Sequence, residues 1–371
     1  MKALELKPTI YLFDTIKEFA ADFELNERDL VLTNRWIFDP FLAPLNLECT
    51  TLFQEDYGKG EPSNHMIDNI TAAAREFEYD RVVAFGGGSV IDISKILALN
   101  VPEKCINLFN GKTEPRKIKE LVIIPTTCGT GSEVTNLSIV ELIELGVKQG
   151  LAGDFCTADA AVLVPETLST LPWNFFATSS IDALTHAIES YLSPKANPFT
   201  EMFSIRAIEY ILEGFVDIYK NGQEARTKHL KNFIIASTYA GIAFGNAGCA
   251  AVHAMSYSFA GAFHVAHGEA NYQFLGGVLD IYQEKNPDGK IRLLKELLAR
   301  ILDTTMDTAI YQLQVIMDVL VPRKALKEYG MTENQIDAFT VQTIEKQQRL
   351  LANNYVPLTQ DDIRSVFAKL F

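Results

Sequence analysis

The sequence has 371 residues, of which 48% are hydrophobic and 22% are charged, a composition typical of a globular protein large enough for two domains. Its formal net charge of −14 excludes the concentrated basic surface that nucleic-acid binding requires. No run approaches 18 consecutive apolar residues, and the start of the chain lacks the features of a secretory signal. The five cysteines are dispersed and odd in number, which favours thiols over disulfides. We therefore expect a cytoplasmic protein with no membrane-spanning segment.

The first half of the chain alternates predicted strands with predicted helices. Strand patterns occupy residues 9–13, 30–33, 81–85, 121–125 and 160–164. Helix patterns occupy residues 15–23, 63–77 and 90–99, with Asp14 and Ser63 as the expected N-caps of the first two. Beyond Pro172 the pattern changes to long helices with few strand signals. This order predicts an α/β dinucleotide-binding domain with a mostly parallel sheet over residues 1–175, and an all-α domain over residues 176–371.

Two loops of small residues follow strands of the predicted sheet. Gly86-Gly87-Gly88-Ser89 comes between a strand and a helix, where bare backbone N–H groups at a helix N-terminus favour a phosphate. A tight turn without a ligand would give the same pattern. The stretch 126–133, Thr-Thr-Cys-Gly-Thr-Gly-Ser-Glu, follows the next strand and offers hydroxyl donors. It is read either as a second contact with a cofactor or as a polar surface loop.

Ligand-type side chains concentrate in two apolar stretches of the second half. Asp182 and His186 are four residues apart, so a helix places them on one face. His253, His264 and His267 lie in a second stretch, so that four of the six histidines of the chain fall in these two segments. Buried imidazoles need partners, and a divalent metal such as zinc or iron can serve several of them at once. The sequence therefore predicts a metal site.

These stretches also carry a resemblance to a known family. Asp-Ala-Leu-x-His-Ala from Asp182 and His-Gly-x-x-Asn from His267 resemble the iron-dependent (group III) alcohol dehydrogenases. The resemblance implies that the metal ligands are Asp182, His186, His253 and His267, that the metal is Fe²⁺ with Zn²⁺ as the alternative, and that the organic cofactor is NAD. At Tyr257 the sequence departs from the family, many members of which have a further histidine there.

The resemblance extends to the two small-residue loops and to the C-terminal stretch 349–363. The loop 86–95 matches the family pattern Gly-Gly-Gly-Ser-x-x-Asp-x-x-Lys. The residues expected to contact the cofactor are Asn34, Gly86, Gly87, Gly88, Ser89, Asp92, Thr126, Thr127, Thr130, Ser132 and Lys148. Asn34 ends the second strand, where an acidic residue commonly excludes the 2′-phosphate of NADP. Asn34 lacks that charge, and Arg35 beside it could attract a phosphate, so NAD is expected by a reduced margin.

Together these features predict hydride transfer between NAD(H) and a small primary alcohol or aldehyde, in a homo-oligomer. The resemblance implies 4-hydroxybutyrate, exchanged with succinate semialdehyde, as the substrate. Such a substrate needs a donor for its carboxylate, and His264 and Tyr257 are the candidate catalytic residues, Tyr257 also as a proton relay. The alternatives are a dehydrogenase of simple alcohols or diols, a lyase of the dehydroquinate synthase type, in which a Glu would replace the metal Asp, and a metal hydrolase without nicotinamide.

Overall fold

The computed structural model describes residues 2–371, which form two compact units, Leu6–Leu171 and Pro172–Phe371, the second joined by residues 2–5. The sequence placed the boundary after residue 175 and assigned the N-terminal residues to the first domain. Residues 2–5 belong instead to the helical unit because its side chains bind their backbone. Asn246 Nδ2 donates to the Glu5 carbonyl (3.0 Å), Asn246 Oδ1 accepts from the Glu5 N–H (2.7 Å), and Asn197 Nδ2 donates to the Ala3 carbonyl (2.9 Å).

The unit Leu6–Leu171 is built on a six-stranded parallel sheet and has eight strands among its described residues. They are β1 Thr9–Leu12, β2 Asp29–Thr33, β3 Thr50–Phe53, β4 Arg81–Gly86, β5 Glu120–Pro125, β6 Leu137–Leu142, β7 Val147–Ala152 and β8 Ala160–Leu163. Its helices are α1 Ile16–Asp22, α2 Arg35–Phe41, α3 Asn64–Ala74, α4 Gly88–Leu97 and α5 Ile106–Phe109. The sheet has the order β1-β8-β5-β4-β2-β3, and β6 and β7 form a separate antiparallel pair. The predicted mostly parallel sheet is confirmed.

Both faces of the sheet are buried, as the apolar strand patterns require. In β4, Val82 and Ala84 enter one hydrophobic core, while Val83 and Phe85 enter a second. This division follows from the alternation of side chains along a strand. The carboxyl ends of neighbouring parallel strands lie at one edge, with Gly86 of β4 opposite Pro125 of β5. The glycine loop and the threonine loop therefore begin side by side.

Several local features differ from the sequence prediction. The N-cap of α1 is Thr15, not Asp14, because Thr15 and Glu18 form a reciprocal capping box. The strand β3 and the β6–β7 hairpin were missed, as was the short helix α2. Residues 50–53, Thr-Thr-Leu-Phe, are too few and too mixed in polarity to show a period. Their strand is defined by pairing with β2 instead.

The second unit is helical, as predicted. Its helices are α6 Trp173–Leu192, α7 Pro198–Asn221, α8 Leu230–Ala247, α9 Ala251–Phe263, α10 His267–Lys285, α11 Lys290–Leu302, α12 Ala309–Leu320, α13 Asn334–Lys346, α14 Gln348–Leu351 and α15 Gln360–Leu370. Helix α6 packs against α7, α8 and α10, and every residue from Ser180 to Leu192 is buried. Polar side chains on this part of α6 must therefore find partners inside the protein.

No single helix within residues 2–371 has both the length and the apolar character needed to cross a membrane. One sharply bent pair, Gln223–Ala247 with Ala251–Phe263, meets those two criteria when its halves are taken together.

Candidate metal centre and cofactor turn

Four ligand-type side chains converge inside the helical unit. Asp182 and His186 come from α6, His253 comes from α9, and His267 is the first residue of α10. One ligand atom of each lies within 4.8 Å of those of the other three. These are the four residues that the resemblance singled out, and the first three are buried while His267 is half-buried.

The spacing and charge of this cluster suit a shared cation. Asp182 Oδ1 lies 3.9 Å from His253 Nε2 and 3.8 Å from His267 Nε2, beyond hydrogen-bond distance. Two ligands about 2.1 Å from one tetrahedral ion stand roughly 3.4 Å apart. Burial raises the pKa of the Asp182 carboxyl, but the three imidazoles and a hydrogen bond from Asn271 outweigh it, so that the pKa is lowered. The carboxylate is thus in the anionic form that binds metal.

Asn271 occupies the centre of this arrangement. Its Nδ2 lies 2.7 Å from Asp182 Oδ1, 3.1 Å from His253 Nε2 and 3.2 Å from His267 Nε2. An amide group has two hydrogens and cannot serve three acceptors, and the Oδ1 of Asn271 is buried with no hydrogen-bond partner. The amide nitrogen lies close to the acceptor atoms of Asp182, His253 and His267, as a bound cation would. The residues present therefore fit a divalent metal.

A glycine makes the convergence sterically feasible. A Cβ atom on Gly268 would lie 2.1 Å from the carbonyl oxygen of Thr178 and 3.1 Å from the Cβ of Asp182. The first turn of α10 therefore touches the backbone of α6 directly. This close approach is what brings His267 to Asp182, and no residue with a side chain can replace Gly268 without separating the two helices.

Glu189 fixes the orientation of His253. This buried carboxylate accepts a hydrogen bond from His253 Nδ1 at 2.5 Å and from the N–H groups of Ala250 (3.0 Å) and Val252 (2.7 Å). With Nδ1 protonated and bound, the lone pair of His253 Nε2 faces the cluster. These contacts favour an orienting role for Glu189.

We expect Glu189→Gln to weaken metal binding about 10- to 100-fold, the usual cost of losing an outer-shell partner of a ligand histidine. The amide keeps the size of the side chain but offers only one acceptor oxygen to three donors. Competition with a chromophoric chelator measures the affinity. Glu296→Gln, on the exposed face of α11, is the matched control, and unchanged affinity in the Glu189 variant would contradict the orienting role.

Aromatic rings border the metal cluster. His186 stacks on Phe244 with ring centroids 4.2 Å apart, and Tyr257 stacks on His267 at 5.5 Å. Tyr257 is half-buried, and burial raises the pKa of its hydroxyl, which is therefore a proton donor at neutral pH. His264 is exposed and has a left-handed backbone conformation (φ 52°) where α9 ends. Within residues 2–371, it is not among the ligand-type side chains that cluster.

In the α/β unit, the glycine turn and the threonine loop meet. Gly86 ends β4, Gly87 is the N-cap of α4, and the helix begins at Gly88. A Cβ on Gly87 would lie 3.3 Å from Thr127, and one on Gly88 would lie 3.0 Å from Thr130. The glycine turn and the threonine loop thus pack closely, and the three glycines add no side chain at the N-terminus of α4, as a phosphate site at a helix N-terminus requires.

Three of the polar residues in these motifs bind each other. Asp92 accepts hydrogen bonds from Ser132 Oγ (3.0 Å) and the Ile139 N–H (3.0 Å). The buried Lys95 Nζ donates to Ser132 Oγ (2.8 Å) and the Leu137 carbonyl (2.7 Å). Burial lowers the pKa of Lys95. These contacts hold the loop after β5 against α4. Ser89, Thr126, Asp92 and Ser132 remain predicted cofactor contacts, the last two with this additional structural role.

Lys148 lies on the exposed strand β7 and forms an ion pair with Glu61. No described contact joins Lys148 to the glycine turn or to the threonine loop. Its assignment to the cofactor remains a prediction from the sequence alone.

At the end of β2, a carboxylate adjoins Asn34. Glu55, which follows β3, accepts from Asn34 Nδ2 (2.9 Å) and from the Arg35 N–H (2.8 Å). The guanidinium of Arg35 forms two hydrogen bonds with Asp56 (2.7 and 2.8 Å). The sequence interpretation missed Glu55 because β3 itself was missed. The charge of Arg35, which the sequence offered to a phosphate, is already engaged by an acid.

Comparison with known proteins identifies the class. Residues 8–165 match the family described as iron-containing alcohol dehydrogenase, and residues 176–371 match the C-terminal part of the Fe-containing alcohol dehydrogenase family. The chain belongs to the iron-containing alcohol dehydrogenases. It is 50% identical over 371 residues to the 4-hydroxybutyrate dehydrogenase of Clostridium kluyveri, covering 100% of both chains. It is 31% identical to long-chain-alcohol dehydrogenase 1 of Geobacillus thermodenitrificans, covering 97% of this chain and 92% of that one.

Solved structures share the fold. The sulfoacetaldehyde reductase of Bifidobacterium kashiwanohense in complex with NAD+ has a TM-score of 0.86 at 24% identity, covering 100% of this chain and 98% of that one. A 1,3-propanediol oxidoreductase has a TM-score of 0.85 at 22% identity, with 100% of both chains covered. The predicted family and fold class are therefore confirmed.

Proposed function

We propose that this protein is an NAD(H)-dependent, metal-dependent dehydrogenase that interconverts 4-hydroxybutyrate and succinate semialdehyde. The observation that carries the proposal is the convergence of Asp182, His186, His253 and His267 on one point. It occurs in a chain that is 50% identical, over its full length, to a protein named for this reaction. The glycine turn at the N-terminus of α4 is the expected place for the dinucleotide phosphates.

The side chains of the cluster have distinct roles in the proposed reaction. A bound Fe²⁺, with Zn²⁺ as the alternative, supplies Lewis acidity toward the alcohol or aldehyde oxygen, and bound NAD supplies the hydride acceptor. Asp182 contributes one negative charge and the three imidazoles contribute none. With a divalent ion held by these four side chains, the site would carry one net positive charge, which would favour a negatively charged substrate oxygen. Glu189 keeps His253 in the required tautomer. The protonated Tyr257 hydroxyl, beside His267, is the candidate proton donor.

NAD is the proposed cofactor in preference to NADP. Asn34 ends β2 without a charge, but the carboxylate of Glu55 is 2.9 Å from its amide. Arg35 is balanced by Asp56. The three ionised groups Arg35, Glu55 and Asp56 sum to one negative charge, which disfavours a 2′-phosphate. In place of an acidic residue directly after β2, the negative charge comes from Glu55, which follows the neighbouring strand β3.

We expect Glu55→Gln to raise the relative use of NADPH about tenfold, measured as the ratio of kcat/KM for NADPH and NADH. Two like unit charges about 4 Å apart repel by about 1 kcal/mol in water and by more near a protein surface, and the substitution removes that repulsion of a 2′-phosphate. Asn34→Asp should move the ratio in the opposite direction. Glu103→Gln, an exposed residue between α4 and α5, is the matched control. A wild-type enzyme that already favours NADPH would contradict the argument.

The proposed reaction is tested by NADH oxidation with iron-loaded protein and succinate semialdehyde, acetaldehyde or lactaldehyde. We expect succinate semialdehyde to give the highest kcat/KM. Comparable rates on all three would favour the broader alcohol or diol dehydrogenase. A protein that binds no NADH in a fluorescence titration would favour the metal hydrolase instead.

A cytoplasmic location is part of the same proposal. None of the five cysteines forms a disulfide in residues 2–371, and four of the five are buried, as expected for a protein that stays in a reducing compartment.

A further inference from the structure

Arg349 carries a charge that nothing in the described chain balances. It lies on α14 and its side chain is exposed. Within residues 2–371, its guanidinium forms no hydrogen bond and no ion pair. Other arginines of the helical unit do pair with acids, namely Arg206 with Glu209, Arg292 with Glu296, Arg300 with Glu209, Arg323 with Asp318 and Arg364 with Asp337. Arg349 is therefore available to an external anion.

The neighbours of Arg349 in the chain border the metal cluster. Leu350 is buried with Cys249 and Ala254, and Phe244, Tyr257 and Leu351 pack against this group. Helix α14 is held against α9. Phe244 stacks on the metal ligand His186, and Tyr257 stacks on the metal ligand His267. Apolar packing thus connects the metal cluster to the helix that carries Arg349.

The packing of α14 places Arg349 beside this apolar group. Leu350, the next residue, is buried against it, while the side chain of Arg349 is exposed. A negatively charged substrate needs such a local cation, because the net charge of −14 repels it from the protein as a whole.

We propose that Arg349 binds the carboxylate of an ω-hydroxy acid or ω-oxo acid whose reacting oxygen is held at the Asp182–His267 cluster. The two methylene groups of succinate semialdehyde would lie along the half-buried rings of Phe244 and Tyr257. A guanidinium forms paired, charge-assisted hydrogen bonds with a carboxylate, which would favour such a substrate over an uncharged aldehyde. This inference rests on the proposed function and extends it to the residue that selects the substrate.

The test compares succinate semialdehyde with butanal, which has the same chain length and no carboxylate. In Arg349→Gln, the ratio of kcat/KM for succinate semialdehyde to that for butanal should fall about 10- to 100-fold, the cost of a lost hydrogen-bonded charge partner. Arg349→Lys should restore part of the ratio. Inhibition by butyrate should weaken in Arg349→Gln by a similar factor. Arg364→Gln, which removes an exposed arginine paired with Asp337, is the matched control and should leave the ratio unchanged.

The outcomes separate the two levels of the proposal. A wild-type enzyme with no preference for succinate semialdehyde over butanal would overturn the proposed substrate and the anchor together. A wild-type preference that persists in Arg349→Gln would overturn only the role of Arg349. The variant His264→Ala tests the alternative that His264 binds the substrate carboxylate. If the preference for succinate semialdehyde is lost in His264→Ala and persists in Arg349→Gln, the carboxylate is bound by His264. Circular dichroism shows whether each variant is folded, which is expected because both side chains are exposed.

Discussion

Alanine at any one of Asp182, His186, His253 or His267 is expected to remove the bound metal and nearly all dehydrogenase activity, while the helical fold persists. Each variant leaves three ligand side chains, and a structure with one vacant ligand position holds its ion far less tightly. Because loss of an outer-shell partner alone costs about 10- to 100-fold, loss of a ligand should cost more than about 100-fold in metal affinity.

Elemental analysis and circular dichroism on each purified variant measure the two halves of this expectation. His229→Ala is the matched control, because His229 lies in the same unit and pairs with Asp217 by a hydrogen bond of 2.9 Å. It should retain both metal and activity. A His253→Ala protein with stoichiometric metal and normal turnover would show that His253 is not a ligand.

Gly268→Ala is expected to lower the free energy of unfolding by about 3 kcal/mol, at the upper end of the usual cost of overpacking. The new Cβ would lie 2.1 Å from the Thr178 carbonyl oxygen, and a backbone atom of a packed helix cannot turn aside as a flexible side chain can. Relief requires α10 to move from α6, which displaces His267 from Asp182. Metal affinity should therefore fall together with stability.

Denaturant unfolding and chelator competition measure these two effects. Gly261→Ala is the control, because Gly261 lies in α9, is exposed, and has no atom within 4 Å of a Cβ added to it. Alanine there should stabilise the helix by about 0.5 to 1 kcal/mol. Equal stability of the two variants would mean that α10 and α6 are not in the contact described.

The sequence was informative where the chemistry of single residues is distinctive. Asp182 and His186 stand out because buried helical segments rarely carry such side chains, and the glycine loop because it breaks a strand–helix pattern at Gly86. The helix that carries Asp182 and His186, and the turn that contains Gly86, follow from local sequence patterns. The apolar strands, the parallel sheet and the helical second half were predictable for the same reason.

The roles described for Asn271 and Glu55, and proposed for Arg349, were missed because they depend on what tertiary packing brings beside these residues. Asn271 entered the sequence analysis only as the last residue of the family pattern His-Gly-x-x-Asn, with no role in the site. Only the meeting of α6, α9 and α10 places its amide among three ligands. Glu55 depends on the β2–β3 pairing, and Arg349 on the contact of α14 with α9. No periodicity or local propensity contains these contacts.

The strand β1 is joined to the sheet only through a segment made much later. Thr9 pairs with Ala160 of β8, and β8 in turn joins β5, whereas β2, β3, β4 and β5 pair among themselves. A ribosome that adds about 5–20 residues per second needs roughly 8 to 30 s to travel between these partners. Strands β2 to β5 can thus pair during synthesis, while β1 has no strand to pair with. The backbone of β1 is exposed to chaperones and proteases until β8 leaves the exit tunnel.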